Sequence, residues 1–120
     1  ATIYPAKPIS GFVFAMSPEE KEEAARQQNA QAADIQKTAE AIQPALTVLD
    51  ELNVALACGM VTQENAEKLI DAALAFGDVV STGRNAPEWL RARADYVSEI
   101  AAQKHPFETE KLAAREGIEY

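Results

Sequence analysis

From Ala25 to Leu56, small and apolar residues recur at alternating spacings of three and four, through Gln28, Ala32, Ile35, Ala39, Ile42, Leu46, Leu49 and Asn53. A stripe of that period is what one face of a long helix presents to a neighbour. Just upstream, Ser17-Pro18-Glu19-Glu20 reads as a helix start: a capping hydroxyl, a proline at the first helical position, and carboxylates beside the positive end of the helix dipole. Glu20, three places after Ser17, completes a capping box. Pro44 falls inside the stripe, where it removes the hydrogen bond to the Glu40 carbonyl and costs about 3 kcal/mol in a continuous helix. Because the register persists across Pro44, the sequence predicts one long helix kinked there, its two pieces roughly collinear, capped at its end by Gly59.

A second stripe follows Thr62, through Ala66, Leu69, Ile70, Ala73, Leu74, Gly77 and Val80, and Gly83 closes it. Asn85-Ala86-Pro87-Glu88 then reads as another start, with Asn85 as cap and a helix running to about Lys104. His105 and Pro106 end it, and a short weak helix is expected from Glu108 to Arg115, before Gly117. No alternating apolar run requires a strand. The expected fold class is therefore all-α: a small helical bundle or helical hairpin with one long kinked helix, three or four helices running up and down.

Residues 1–16 carry Pro5, Pro8 and Gly11 and no helical period, yet Ile3, Tyr4, Ile9, Phe12, Val13, Phe14 and Met16 are dense in apolar area. They are expected to be an extended docking arm (1–16), followed by a helical domain (17–116) and a loose tail (117–120). The apolar Gly11-to-Met16 segment is suited to adding to the edge of a partner's sheet.

Charge narrows the function classes. A net charge of −8 gives no purchase on phosphate backbones or anionic lipid, so neither nucleic acid nor membrane is expected as a partner. No apolar run reaches the length of a spanning helix, and the first residues lack a signal peptide's basic start. Cys58 is the only cysteine, which fits a reducing compartment and places the chain in the cytoplasm of the producing cell, free or incorporated into a larger assembly. Apolar residues make up 48% of the chain, but many are alanines that remove little area from water, so a partner is expected to complete the burial.

No constellation of nucleophile, base and oxyanion donors stands out. His105, the one histidine, sits before a proline at a helix end, where a cation suits the dipole, and neither a Glu-x-x-His nor a His-Glu-x-x-His ligand pattern includes it. Cys58, beside Gly59 on an apolar helix, reads as a buried small hydrophobe. No glycine belongs to a phosphate-cradling loop, and Glu19, Glu20, Glu22 and Glu23 are accounted for as a solvated helix start. The expected catalytic, cofactor-binding and metal-binding sets are accordingly empty. Arg84, Arg91 and Arg93 beside Trp89 and Tyr96 have the composition of an interface hot spot, with Trp89, Arg93, Tyr96 and Ile100 along one helix face. The bland account pairs the arginines with Asp95 and Glu99.

These readings converge on a non-enzymatic structural or assembly protein acting by protein-protein contact in a homo- or hetero-oligomer, with no small-molecule substrate. Its arm-plus-helices plan resembles that of small phage or virion accessory components, although no motif carries a family match. The candidate partner-binding residues are Tyr4, Ile9, Phe12 and Phe14 on the arm and Arg84, Trp89, Arg93 and Tyr96 on the body. The alternative is an acidic helical inhibitor or immunity-type protein that covers a basic surface, supported by the excess of acidic groups between Glu19 and Asp71.

Overall fold

The computed structural model describes residues 16–105. Helix α1 (Pro18–Ile42) is followed by strand β1 (Leu46–Leu49), helices α2 (Leu52–Ala57) and α3 (Gln63–Leu74), strand β2 (Asp78–Ser81) and helix α4 (Glu88–Arg93). The two strands pair in parallel, Leu46 opposite Asp78 through Leu49 opposite Ser81, so β1-α2-α3-β2 is a parallel crossover unit. The expected all-α bundle is thereby corrected to an α/β architecture.

The reason lies at Pro44. Helix α1 starts as its sequence dictates, with the Ser17 hydroxyl accepting from the Glu20 amide at 3.2 Å. It then stops at Ile42: Gln43 adopts a left-handed conformation and returns its amide to the Ala39 carbonyl. Pro44 thus breaks the helix instead of kinking it, and Leu46-Thr47-Val48-Leu49 leaves as a strand. In so short a run, Leu46 and Leu49 satisfy a helical stripe and a strand equally well. The second stripe fails in the same way. Its buried members Ala66, Leu69, Ile70 and Ala73 lie on α3 behind the Thr62 cap, whereas Gly77 falls in the turn and Val80 belongs to β2.

Helix α4 is also shorter than its pattern. Asn85 is left-handed (φ 58°), Pro87 occupies the cap position, and the helix ends at Arg93 rather than near Lys104. Beyond it, Tyr96, Val97 and Ile100 are largely exposed, so the segment has no buried stripe to support a helix. The proposed arm, apart from Met16, the weak helix at 108–115 and the tail at 117–120 lie outside the described residues. Met16 itself is buried against Ala24 and Met60. Cys58, expected to be buried, is exposed. Among the described residues no helix is long and apolar enough to cross a membrane.

Helix α1 packs on α3, and its alanine stripe serves that close approach: Ala32 joins Leu49, Leu52, Val61, Ala66, Leu69, Ile70 and Leu90 in the main core. The buried alanines of the stripe therefore lie against an intramolecular partner. One sheet face, through Leu49 and Val79, points into this core. On the other, Leu46, Val48 and Val80 are 57%, 57% and 45% exposed. The two helices are stitched by Asn29. Its Oδ1 accepts from the Thr62 amide (3.1 Å) and Asn65 Nδ2 (2.8 Å), and its Nδ2 donates to the carbonyls of Ala25 (2.9 Å) and Met60 (3.3 Å). Asn29→Ala strands several of these groups at once and is expected to destabilise the fold by about 2 kcal/mol in urea unfolding. A loss below about 0.5 kcal/mol, ordinary for a surface change, would show that water replaces the bridge without cost.

Candidate active site

In parallel sheets, ligands bind outside the carboxyl ends of the strands, where loops diverge and backbone groups are left to meet them. Here both carboxyl ends lead into polar loops: β1 runs into Asp50-Glu51, and β2 into Thr82-Gly83-Arg84-Asn85. The loops are tied together. Thr82 continues the ladder through its amide to the Leu49 carbonyl (3.2 Å), and its own carbonyl accepts from the Asn53 amide (3.1 Å). Its hydroxyl donates to Asp50 Oδ1 at 2.7 Å and accepts from the Glu51 amide at 3.1 Å.

Two unusual backbone positions frame this junction. Glu51 is left-handed (φ 60°) at the start of α2, and its side chain does not cap the helix. Such a conformation is uncommon for a residue with a Cβ, and here it turns the chain from β1 into α2. Gly83 has φ 125°, and a Cβ there would lie 3.2 Å from Asn53 Cβ and from the Val54 amide nitrogen. The glycine therefore lets the loop close onto α2, where Asn53 Nδ2 donates to the Gly83 carbonyl (3.2 Å). Asn53 is buried, with its Oδ1 left without a partner among the described residues. Its expected place on a helical seam is thus replaced by a clamp between two loops.

Of the candidate partner-binding residues, only Arg84 falls in this cluster. It is exposed and forms no ion pair with a described carboxylate. Arg91 bonds Glu88 at 2.6 Å, and that hydrogen bond, with the charge behind it, raises the guanidinium pKa above its ordinary value. Arg93 pairs with Asp71 of α3, not with Asp95 or Glu99. Trp89 is half-buried on the core, and Tyr96 lies beyond the end of α4, so the expected face of Trp89, Arg93, Tyr96 and Ile100 does not form. Tyr4, Ile9, Phe12 and Phe14 lie outside the described residues.

Sequence reasoning passed over Asp50, Glu51 and Thr82, and placed Asn53 on a helical seam and Gly83 at a helix end rather than in a site. The signal available was a repeated one: a short apolar, β-branched run closed by polar turn residues, Leu46-Thr47-Val48-Leu49 before Asp50-Glu51 and Val79-Val80-Ser81 before Thr82-Gly83. Among the described residues no group of three or more His, Cys, Asp or Glu side chains forms a metal cage. Two adjacent carboxylates suit a different arrangement, in which Mg²⁺ is shared between one or two protein carboxylates and the phosphates of a substrate.

The sequence matches the family of ATP:corrinoid adenosyltransferases BtuR/CobO/CobP over residues 2–120. A corrinoid adenosyltransferase of Pseudomonas aeruginosa is 39% identical over 75 residues, which are 62% of this chain and 36% of that protein. The chain thus spans little more than a third of that relative's length. No solved structure matches it. The family match overturns the expectation of a non-enzymatic, phage-like structural or assembly protein, and that of an acidic inhibitor. It also overturns the expected lack of a small-molecule substrate, since the family's description names an enzyme acting on ATP and a corrinoid. With all but the first residue covered by the match, the chain belongs to the ATP:corrinoid adenosyltransferase family.

Proposed function

We propose that this chain carries the metal and triphosphate side of an ATP:corrinoid adenosyltransferase site, built at the carboxyl ends of β1 and β2. The observation that supports this most directly is the Asp50-Glu51 pair at the end of a parallel strand, with Asp50 held by Thr82. Transfer of an adenosyl group, as distinct from an adenylyl group, leaves all three phosphates on the departing side. Negative charge therefore builds on the triphosphate as the bond to the sugar carbon breaks, and stabilising that charge is the protein's main electrostatic task. Asp50 and Glu51 would hold Mg²⁺, which supplies charge neutralisation when bound with the nucleotide. Arg84, exposed and uncommitted on the neighbouring loop, is placed to pair with a phosphate oxygen.

None of the five glycines is followed by lysine, so a G-x-x-x-x-G-K-[ST] phosphate loop is not among these residues. The triphosphate contacts assigned here are therefore the carboxylates, through the metal, and Arg84. A cytoplasmic place of work fits an ATP-consuming reaction and a chain with one cysteine.

Equilibrium dialysis of labelled ATP against the full chain tests this reading, with Mg²⁺ or with a chelator in its place, followed by addition of a corrinoid and absorbance detection of its adenosylated form. ATP retention that is strengthened by Mg²⁺ over the weaker metal-free binding, and that falls when Arg84→Ala is introduced, by about tenfold for one lost charge-assisted contact, is the expected result. Absence of retention up to about 1 mM ATP, the upper end of ordinary substrate constants, with and without corrinoid, would overturn it.

A further inference from the structure

We propose that Thr82 is a positioning residue for the metal-nucleotide contact: it touches no ligand, but sets the Asp50 carboxylate and the Glu51 peptide from the neighbouring strand. This inference rests on the reading of Asp50 and Glu51 given above.

An exposed aspartate just past a strand end is free to turn about two side-chain bonds, so something must choose its orientation before it serves as a ligand. The Thr82 hydroxyl does so with both of its functions in use. Its one proton goes to Asp50 Oδ1 (2.7 Å), and its oxygen accepts from the Glu51 amide (3.1 Å). One Asp50 oxygen is thereby occupied and the other is left for a cation. The same contact bonds the peptide leading into Glu51, whose left-handed backbone (φ 60°) turns the chain from β1 into α2.

The hydroxyl is itself held in place. Thr82 is anchored by its amide to the Leu49 carbonyl (3.2 Å) and by its carbonyl to the Asn53 amide (3.1 Å), and Asn53 Nδ2 fastens the next carbonyl, that of Gly83 (3.2 Å). Asn53 thereby ties the β2 loop to the start of α2 through both its backbone amide and its side chain. The β2 loop is thus built as a rigid platform for one hydroxyl. Partners of this kind, one step removed from a metal, orient its ligands and carry a substantial share of the affinity.

Binding of Mn²⁺·ATP, read by electron paramagnetic resonance, and of ATP in chelator, read by dialysis, is to be compared in the wild-type chain, Thr82→Ser and Thr82→Val, with thermal unfolding as the check on folding. Valine keeps the shape and loses both hydrogen bonds; serine keeps both. Thr82→Val is expected to weaken Mn²⁺·ATP binding by about tenfold and leave metal-free ATP binding unchanged, while Thr82→Ser stays within about threefold of wild type. Equal losses with and without metal would mark Thr82 as merely structural, and wild-type binding in Thr82→Val, or a serine variant as weak as the valine one, would likewise overturn the proposal. Should Thr82→Val fail to fold, Thr82→Ala carries the same contrast. A wild-type chain that binds no Mn²⁺·ATP would defeat the underlying reading itself, an outcome distinct from wild-type binding that Thr82→Val leaves intact.

Discussion

Replacing Asp50 by asparagine is expected to lower the affinity for Mg²⁺·ATP by on the order of 100-fold while leaving the fold standing. The estimate takes the upper end of the loss produced by removing a partner of a metal ligand, since here the ligand itself is altered. The two effects separate because asparagine preserves the shape and an acceptor oxygen for the Thr82 hydroxyl, so the junction between β1 and the β2 loop survives. What disappears is the negative charge, and a hard divalent cation binds a neutral amide oxygen far more weakly than a carboxylate. Asp50 is exposed, so the substitution leaves no charge buried without a partner and should move the unfolding free energy by no more than about 0.5 kcal/mol. Dialysis of labelled ATP with and without Mg²⁺, alongside a thermal melt, reads both quantities. Undiminished metal-dependent binding in a folded Asp50→Asn variant would remove the carboxylate from the site.

Much of the helical part of this fold was legible in the residues. Ser17 and Thr62 cap the helices expected of them, and Ala32, Ala39, Ala66, Leu69, Ile70 and Ala73 are buried on the faces their spacing indicates. Those signals are local: a hydroxyl reaching an amide three residues on, or a stripe against one neighbour. The strands were not legible because each is four residues long, and their meaning lies in each other. Leu46 and Leu49 sit three apart, as they would on a helix, and only the pairing of β1 with β2 decides otherwise. Pro44 was the informative residue, and its cost was weighed against continuity of the stripe. The stripe continued by coincidence, across a change of structure that proline is well suited to make.

The site was hidden for a related reason. Asp50 and Thr82 are far apart in the chain and become neighbours only when two parallel strands are laid side by side. A search for nucleophiles, histidine pairs or glycine-rich loops passes over them, because the role proposed for them is to hold and orient a cation with its polyphosphate rather than to attack a bond. Arg84 was noticed, but as one of three arginines near aromatic residues. The structure divides that group by commitment: Arg91 and Arg93 are tied to Glu88 and Asp71, and Arg84 stands on the loop that carries Thr82. The overall acidity, which argued against phosphate as a partner, describes the surface as a whole. A single cation shared between carboxylates and a triphosphate, as proposed, would invert that argument locally.

Gly77→Ala is expected to be the most damaging small substitution in the described chain, costing about 3 kcal/mol or more in urea unfolding, as overpacking and a lost backbone hydrogen bond combine. A Cβ at Gly77 would lie 2.2 Å from the Ala45 carbonyl oxygen, 2.4 Å from its carbon and 2.6 Å from the Pro44 carbonyl oxygen, all backbone atoms that no rotamer change can move. The Ala45 oxygen is also the acceptor for the Asp78 amide (3.0 Å), the bond from which the parallel ladder starts. The methyl group must therefore push the strands apart where they first meet. With only four residues in each strand, the displacement has little length over which to decay before it reaches the Thr82 contact with Asp50. Metal-dependent ATP binding should fall together with stability, in contrast to Asp50→Asn, where binding falls alone. Gly59→Ala serves as the control: its φ of +73° carries a left-handed penalty of about 1–2 kcal/mol, but a Cβ there meets nothing within 4 Å. If the two alanine variants prove equally stable, the close approach of Gly77 to Ala45 does not hold the strands in register.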